Sequence, residues 1–389
     1  MIYCCNFFKD SSAEKALFNI MLIPYCLNIH PGETLEDIRT AITRHALRVK
    51  ESVAPDANYP LGLRLSAQSV IELSEADNLA FFKEFLLSKN CYTTGINGFP
   101  YGTFHNTAVK EAVYQPDWSS KARLNYTMKL CSILAELLPS KTDGSVTTVP
   151  LGYKVGSDAE SEHAFIDHIV RCADFLKMLY ENTGKRVALA LEPEPDCVIE
   201  TGSEIITWFE RIYDAAAFVR DYVGICLDTC HAAVEFETPL ETILRLETAQ
   251  INIERIQLSS AISTTISPEA LNVMSAFIDP VYLHQTRIRT ADGNIQKYPD
   301  LTVEALADAK RYTGDTLRTH FHVPLFFDGT TLLQSTHDDL NAEFFQHVQS
   351  RGYPMEIETY TFNVLPRAIK PTDIIDSLVM EHEWVASRL

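Results

Sequence analysis

The chain has 389 residues, 46% hydrophobic and 22% charged, which is ordinary globular composition with enough apolar material for a large core. Its 52 acidic against 33 basic residues give a formal net charge of −19, and no Lys/Arg-rich run is present, so nucleic acid and acidic membrane surfaces are poor partners. No apolar run reaches the roughly 18 residues of a membrane span, and nine cysteines without a C-x2-C pair or a signal peptide predict reduced thiols in a cytoplasmic protein.

Length admits two or three domains, or one barrel of about 250 residues with insertions. Residues 1–20 continue no later pattern and read as an N-terminal extension, with Met21 opening the fold proper. Met21 to Ile29 reads as a first strand, His30-Pro31-Gly32-Glu33 as a turn, and Leu35, Ile38 and Ile42 as the apolar stripe of a helix. Leu61–Leu65 and Tyr92–Gly98 are the next strands, separated by a helix to about Lys89. The connection Phe99–Trp118 carries Phe99-Pro100-Tyr101-Gly102 and Phe104-His105-Asn106, and a loop of that length rich in aromatics is more often functional than filler. A helix over 119–138 leads to strand four, Val146–Pro150, and a helix over 161–181 leads to strand five, Val187–Leu191. Strand five runs into Glu192-Pro193-Glu194-Pro195. A helix at 203–220, strand six at 223–228, a helix near 239–249 and strand seven, Ile253–Leu258, continue the alternation that parallel βα units require.

The regularity then breaks. A hairpin is expected over Tyr282–Tyr298, turning at Ala291-Asp292-Gly293-Asn294, followed by a short helix, Val303–Arg311. Thr319–Pro324 is strand-like again. A helix at 338–351, the strand Met355–Thr359 and a helix over 372–387 complete the chain. Nine strand candidates for eight places are reconciled by treating the chain after strand seven as an insertion, with 319–325 folded back over the barrel mouth.

The chemistry gathers at strand ends. Val223 to Leu227 is a short apolar run that ends in Asp228, with His231 three residues on, and a parallel barrel presents its functional groups at the C-terminal ends of its strands. An isolated D-x-x-H is more often a helix cap and a surface imidazole. Glu192, Gln257 and Glu358 at three further strand ends reverse that preference. Three carboxylates converging in one mouth repel one another unless a cation lies between them. Oxygen ligands favour Mg²⁺ or Mn²⁺, and nearby imidazoles leave Zn²⁺, Co²⁺ or Fe²⁺ open. Glu356 shares a face with Glu358. For Glu194 and Glu356, substrate binding and an ordinary salt-bridged carboxylate are equally good readings. His320 and His322 lie on one face by period-two spacing, where they could bind metal or a substrate hydroxyl.

The run GICLDTCHA resembles the G-V-C-L/I-D-T-C-H-A signature of the endonuclease IV family, within the xylose-isomerase-like TIM-barrel superfamily. By that resemblance Glu192 is the metal-binding Glu of strand five, Asp228 and His231 the pair of strand six, and Glu358 the Glu of strand eight. Gln257 stands where that family has a His, and His320-x-His322 matches its D-x-H pair. Its early His ligands meet Ile96-Asn97-Gly98 and Val149-Pro150, so the resemblance does not extend to a full trinuclear zinc site. The sugar isomerases and epimerases of the superfamily need one metal, with the two Glu matching Glu192 and Glu358 flanking the substrate as acid and base. A broader resemblance covers nearly the whole chain after Met21. The runs Tyr25–Glu33, Asn97–Gly102, Leu191–Pro195, the Asp228 motif, His320–Pro324 and Glu356–Thr361 resemble the EboE family, the metabolite-traffic proteins of the bacterial and algal ebo gene cluster.

The expectation is therefore an α/β protein, a xylose-isomerase-like (β/α)8 TIM barrel over 21–389, with an insertion at about 259–318. The resemblance implies a metal-dependent isomerase or epimerase acting on a small polyhydroxylated sugar or cyclitol. One divalent cation (Mn²⁺, Mg²⁺, Zn²⁺ or Co²⁺) is expected at Glu192, Asp228, Gln257 and Glu358. Glu192 and Glu358 are the expected acid and base; His231 and His322 would bind substrate oxygens or a second ion. His30, Asn97, His105, Glu194, His320 and Glu356 are the expected substrate contacts, and other ebo-cluster proteins the expected protein partners. Two other classes stay open: phosphoester hydrolysis of endonuclease IV type, and a non-catalytic metabolite carrier that keeps the pocket.

Overall fold

The computed structural model describes residues 22–105 and 108–389. The expected extension 1–20, its boundary at Met21, and Asn106 of the aromatic connection lie outside the described residues.

Seven parallel strands form the central sheet in chain order: β1 (Tyr59–Arg64), β2 (Cys91–Asn97), β3 (Gly144–Thr148), β4 (Val187–Leu191), β5 (Val223–Asp228) and β6 (Ile253–Leu258), with β12 (Met355–Ile357) beside β6. Tyr25 bridges Ile357 and Cys26 bridges Gly62, both parallel, so the two edges of the sheet meet through the chain at Pro24–Cys26. The first expected strand is thus reduced to two bridging residues, because Leu27–Ile29 turns into a 3-10 helix. Runs such as VALAL in β4 and VGICLD in β5 are buried at every position, as strands enclosed by side chains within and helices outside must be. Long helices, Lys121–Leu137 and Ala159–Thr183 among them, cover the outside.

Inside the barrel an ion pair fills space that glycines leave open. Arg255 of β6 donates from Nη1 to Glu356 Oε2 of β12 at 3.1 Å, and both are buried. A Cβ on Gly62 would lie 1.8 Å from Glu356 Oε1, and one on Gly95 would lie 1.5 Å from Arg255 Nη2. The two glycines in β1 and β2 are therefore required by the bulk opposite them.

The segment after β6 builds its own antiparallel sheet. Its strands are β7 (Ile262–Thr265), β8 (Thr286–Arg289), β9 (Ile295–Tyr298), β10 (Thr316–Thr319) and β11 (Gln334–Ser335), in the order β11-β7-β10-β8-β9. The expected hairpin is β8–β9, in register from Thr286–Tyr298 to Arg289–Ile295. The expected strand at 319–325 is displaced: β10 ends at Thr319 and lies inside this second sheet, between β7 and β8. Residues 320–324 then leave the sheet, and Val323 N donates to Ser260 O at 3.0 Å. β7, β11 and the helix Pro268–Met274 have no counterpart among the expected elements. No helix among the described residues is long and apolar enough to cross a membrane. Cys26, Cys91, Cys131, Cys172, Cys197, Cys226 and Cys230 are buried free thiols.

Candidate metal centre

Three carboxylates meet at the C-terminal mouth of the barrel. Glu192 follows β4, Asp228 ends β5 and Glu358 follows β12, and each offers an oxygen within 4.8 Å of the others. In two of them, one oxygen is tied back and the other left open. Asp228 caps the helix Thr229–Val234: Oδ1 accepts from Cys230 N at 2.7 Å, His231 N at 3.0 Å and Ser259 Oγ at 2.6 Å. Glu358 Oε1 accepts from Asn28 Nδ2 at 2.5 Å and Asn97 Nδ2 at 3.2 Å. Asp228 Oδ2, Glu358 Oε2 and Glu192 Oε2 are buried without a hydrogen-bond partner. Buried carboxylate oxygens are costly to leave unpaired, and three of them aimed into one space fit a divalent cation.

Electrostatics agrees. Burial, then the charges of Glu358, Asp228 and Glu194, pushes the Glu192 carboxyl well above the usual carboxylate range. Burial, followed by Asp228 and Glu356, does the same to Glu358. Asp228 behaves oppositely. Burial raises it, but His231, His322 and the Ser259 hydroxyl together hold it below its ordinary value.

Three imidazoles converge beside the carboxylates. His231 Nδ1 donates to Pro193 O at 2.8 Å, and His322 Nδ1 to Glu358 O at 2.8 Å. A carbonyl oxygen only accepts, so both rings carry their hydrogen on Nδ1. His320 follows by one more step. Gln285 Nε2 donates to Pro195 O at 3.0 Å, which turns Gln285 Oε1 toward His320 Nδ1 at 2.7 Å. All three Nε2 atoms are left as lone pairs, yet His320 Nε2 lies 3.1 Å from Nε2 of His231 and 3.1 Å from Nε2 of His322. Burial, then the neighbouring imidazoles, lowers His320 well below the ordinary imidazole range. Burial lowers His322 to about 4 despite the Asp228 charge. Asp228 Oδ2 lies 3.9 Å from His322 Nε2, so this one carboxylate borders both clusters. Nitrogen donors of this kind suit Zn²⁺ and its neighbours in the first row.

A cavity opens over the two clusters. Of the expected substrate contacts, Asn97, Glu194 and His320 line it, together with Glu192, His231, His322 and Glu358. The others sit elsewhere. Glu356 is paired with Arg255 one layer deeper in the barrel, where strand period two puts it below Glu358. His30 holds Tyr25 Oη at 3.0 Å and stacks on His45 at 4.3 Å, away from the cavity. His105 ties Asn28 O, at 2.6 Å, to Tyr282 Oη, at 3.0 Å, and so fastens the aromatic connection rather than facing the cavity. Gln257, the expected fourth ligand, accepts the Cys226 thiol on Oε1 at 3.1 Å and leaves Nε2 without a partner. To serve as a ligand its amide would have to exchange its two ends.

Sequence reasoning missed Asn28, Tyr114, Ser259, Gln285 and Tyr360. Tyr114 donates to Glu194 Oε1 at 2.8 Å, and Tyr360 Oη lies 3.3 Å from His320 Nε2. Gln285 has no local signal, since it reaches the site only through the inserted sheet. Asn28 and Tyr360 lie within runs already singled out, two residues from Cys26 and Glu358.

No protein-family model and no curated protein matches this chain. Solved structures do. A xylose isomerase-like TIM barrel protein from Mycobacterium smegmatis in complex with magnesium is 11% identical with a TM-score of 0.52, covering 95% of this chain and 98% of its own. A D-tagatose 3-epimerase-like protein is 13% identical with a TM-score of 0.47, covering 95% and 97%. An IOLI protein with a bound zinc atom is 15% identical with a TM-score of 0.40, covering 61% and 73%. The first of these shows the fold: this chain has the architecture of the xylose isomerase-like TIM barrels.

Proposed function

We propose that this chain is a divalent-metal-dependent isomerase or epimerase acting on a small compound with a hydroxyl beside a carbonyl, of the sugar and cyclitol type. The observation that carries the reading is the set of three unpartnered buried oxygens on Glu192, Asp228 and Glu358. A cation held there would polarise the substrate carbonyl and acidify the adjacent C–H. Glu192 and Glu358, the two glutamates at that cation, would exchange a proton with that carbon. One takes it as the C–H bond breaks, and the other returns a proton to the neighbouring carbon or the opposite face. Asn28 and Asn97 fix Glu358 from one side, leaving the other oxygen for this work. The EboE resemblance supports a setting in metabolite traffic, with other ebo-cluster proteins receiving or supplying the compound.

The three-imidazole cluster favours one alternative. Two adjacent cation sites sharing Asp228 are the equipment of a phosphoester hydrolase. The net charge of −19 opposes a nucleic-acid substrate for it.

The test is to incubate the protein with Mn²⁺ and a panel of ketoses, inososes and valiolone-like cyclitols in D2O. Deuterium at the carbon beside the carbonyl and product formation are followed together. Glu192→Gln and Glu358→Gln should each abolish turnover, a loss of at least about 10²–10⁴-fold. Neither label nor product across the panel, with metal bound, would remove the reading for sugars and cyclitols. Tight binding without turnover would favour a carrier.

A further inference from the structure

The cation clusters occupy one side of the cavity, and the other side is apolar. Phe99, Phe104, Val109 and Val113 line it from the connection after β2, and Tyr282 and Leu283 from the inserted segment. The rings of Phe104, Tyr282 and Tyr360 form a mutual trio, with centroids 5.2 Å (Phe104–Tyr282), 5.4 Å (Phe104–Tyr360) and 5.2 Å (Tyr282–Tyr360) apart. Tyr360 also lies 4.7 Å from the His322 ring, so the apolar wall begins one ring's width from the metal-binding nitrogens. A free sugar carries hydroxyls around its whole edge, and those turned toward these rings would lose their hydrogen bonds to water without replacement.

Charge narrows the ligand further. Among the described residues, Lys110 is the one basic Lys or Arg on the lining. Its ammonium is already committed to Asp279 O at 2.8 Å, Tyr282 O at 2.7 Å and Asp300 Oδ2 at 2.6 Å. Glu192, Glu194 and Glu358 make the rest of the charged lining acidic. A phosphate or carboxylate tail therefore finds no unpaired cationic side chain among the described lining residues.

We infer that the ligand of this centre is an uncharged α-hydroxyketone bearing an aryl ring. Its two adjacent oxygens face the carboxylate and imidazole end, and its ring packs against Phe104, Tyr282 and Tyr360. This rests on the reading given above, that vicinal oxygens meet a cation at Glu192, Asp228 and Glu358, and it moves the substrate away from free and phosphorylated sugars.

Three ketols that share the HOCH2–C(=O)– unit test it: dihydroxyacetone, dihydroxyacetone phosphate and 2-hydroxyacetophenone. Each is titrated calorimetrically into Mn²⁺-loaded protein, with Mn²⁺ affinity measured separately. The aryl ketol should bind at least about tenfold tighter than dihydroxyacetone, the discrimination one apolar group supplies in a fitted pocket, and the phosphate should add nothing. Phe104→Leu and Tyr282→Ser should erase the aryl preference while leaving Mn²⁺ and dihydroxyacetone affinities in place. Equal binding of the aryl and simple ketols, tighter binding of the phosphate, or no response to any ketol with Mn²⁺ bound overturns the inference and leaves the cation site standing. Failure to bind Mn²⁺ overturns the parent reading, and the inference with it.

Discussion

The Nε2 of His231 faces the Nε2 of His320 at 3.1 Å. Pro193 O and Gln285 Oε1 hold the hydrogens on the far nitrogens. Opposed lone pairs are relieved by a proton or by a metal ion, and at neutral pH burial and mutual repulsion disfavour protons on His320 and His322. The chain should therefore take up divalent ions strongly. Zn²⁺ or Mn²⁺ at about 100 times its Kd stabilises by about 2.7 kcal/mol, which for a domain of this size is a rise of several °C in Tm. Scanning calorimetry with and without the ion, alongside metal analysis, checks this. An unchanged Tm in the presence of both ions would refute it.

Asp228 borders the imidazole trio and belongs to the carboxylate trio, so its charge serves both. Asp228→Asn keeps an oxygen for the helix cap and the Ser259 hydroxyl while removing the charge, and Asn caps as well as Asp does. Folding should survive by circular dichroism, and the ions bound per chain should fall. An unchanged metal content would show that Asp228 is a structural cap alone.

Arg255 and Glu356 give a prediction about the barrel itself. Replacing Arg255 by Met strands a buried carboxylate, a change that typically costs about 3–5 kcal/mol. Arg255→Met with Glu356→Gln should recover much of that loss, because no unpaired charge remains. Urea unfolding of the two single variants and the double variant measures the coupling. A double variant no more stable than Arg255→Met would mean that packing around Gly62 and Gly95, and not charge, sets the cost.

The barrel was legible because strands such as β4 and β5 are short, fully buried and mostly apolar runs spaced by helices, and because acidic residues stand at their ends. β4 matches its expected bounds, Val187–Leu191, residue for residue. The second sheet was not legible. β7 and β10 pair across more than 50 residues, and β7 is buried at three consecutive positions without an apolar alternation. The same blindness hid Gln285. Glu356 was misplaced for a different reason: period two correctly put it on the face of Glu358, but not in which layer of the barrel, and only Arg255 decides that.

Gln285 orients His320 through Oε1 and is itself held by Pro195 O and by Tyr114 Oη at 2.8 Å. Outer partners of ligand imidazoles commonly contribute about 10–100-fold to metal affinity. Gln285→Leu should lower Zn²⁺ affinity by that order, while Gln285→Glu, which can still accept from Nδ1, should lower it less. Competition against a chromophoric chelator reads both. Equal loss in the two variants would indicate disturbed packing and not lost orientation.

Glu381, on the helix Ile374–Ala386, ties together the two segments that carry His322 and Glu358. Its Oε1 accepts from Leu325 N at 3.1 Å and from Thr359 Oγ1 at 2.6 Å. Burial raises its carboxyl to about 7, against the partial help of those two donors. An unfolded Glu titrates near 4.3. Between about 4.3 and about 7 the folded chain therefore holds a proton that the unfolded chain has released. By linkage the contribution of this group to stability falls as pH rises through that window. The shift corresponds to a loss on the order of 3 kcal/mol once pH exceeds about 7. Glu381→Gln is neutral throughout and keeps an acceptor for Leu325 N and Thr359. Its stability relative to the wild type should rise steadily from pH 4.5 to 7 and then level off. Paired urea titrations of metal-free protein at pH 4.5, 6, 7 and 8 measure that difference directly, since other titrating groups are common to both chains. A difference that stays flat across the window would mean the carboxyl titrates like an exposed one, and that its two hydrogen bonds do not hold the site segments together as a buried neutral acid.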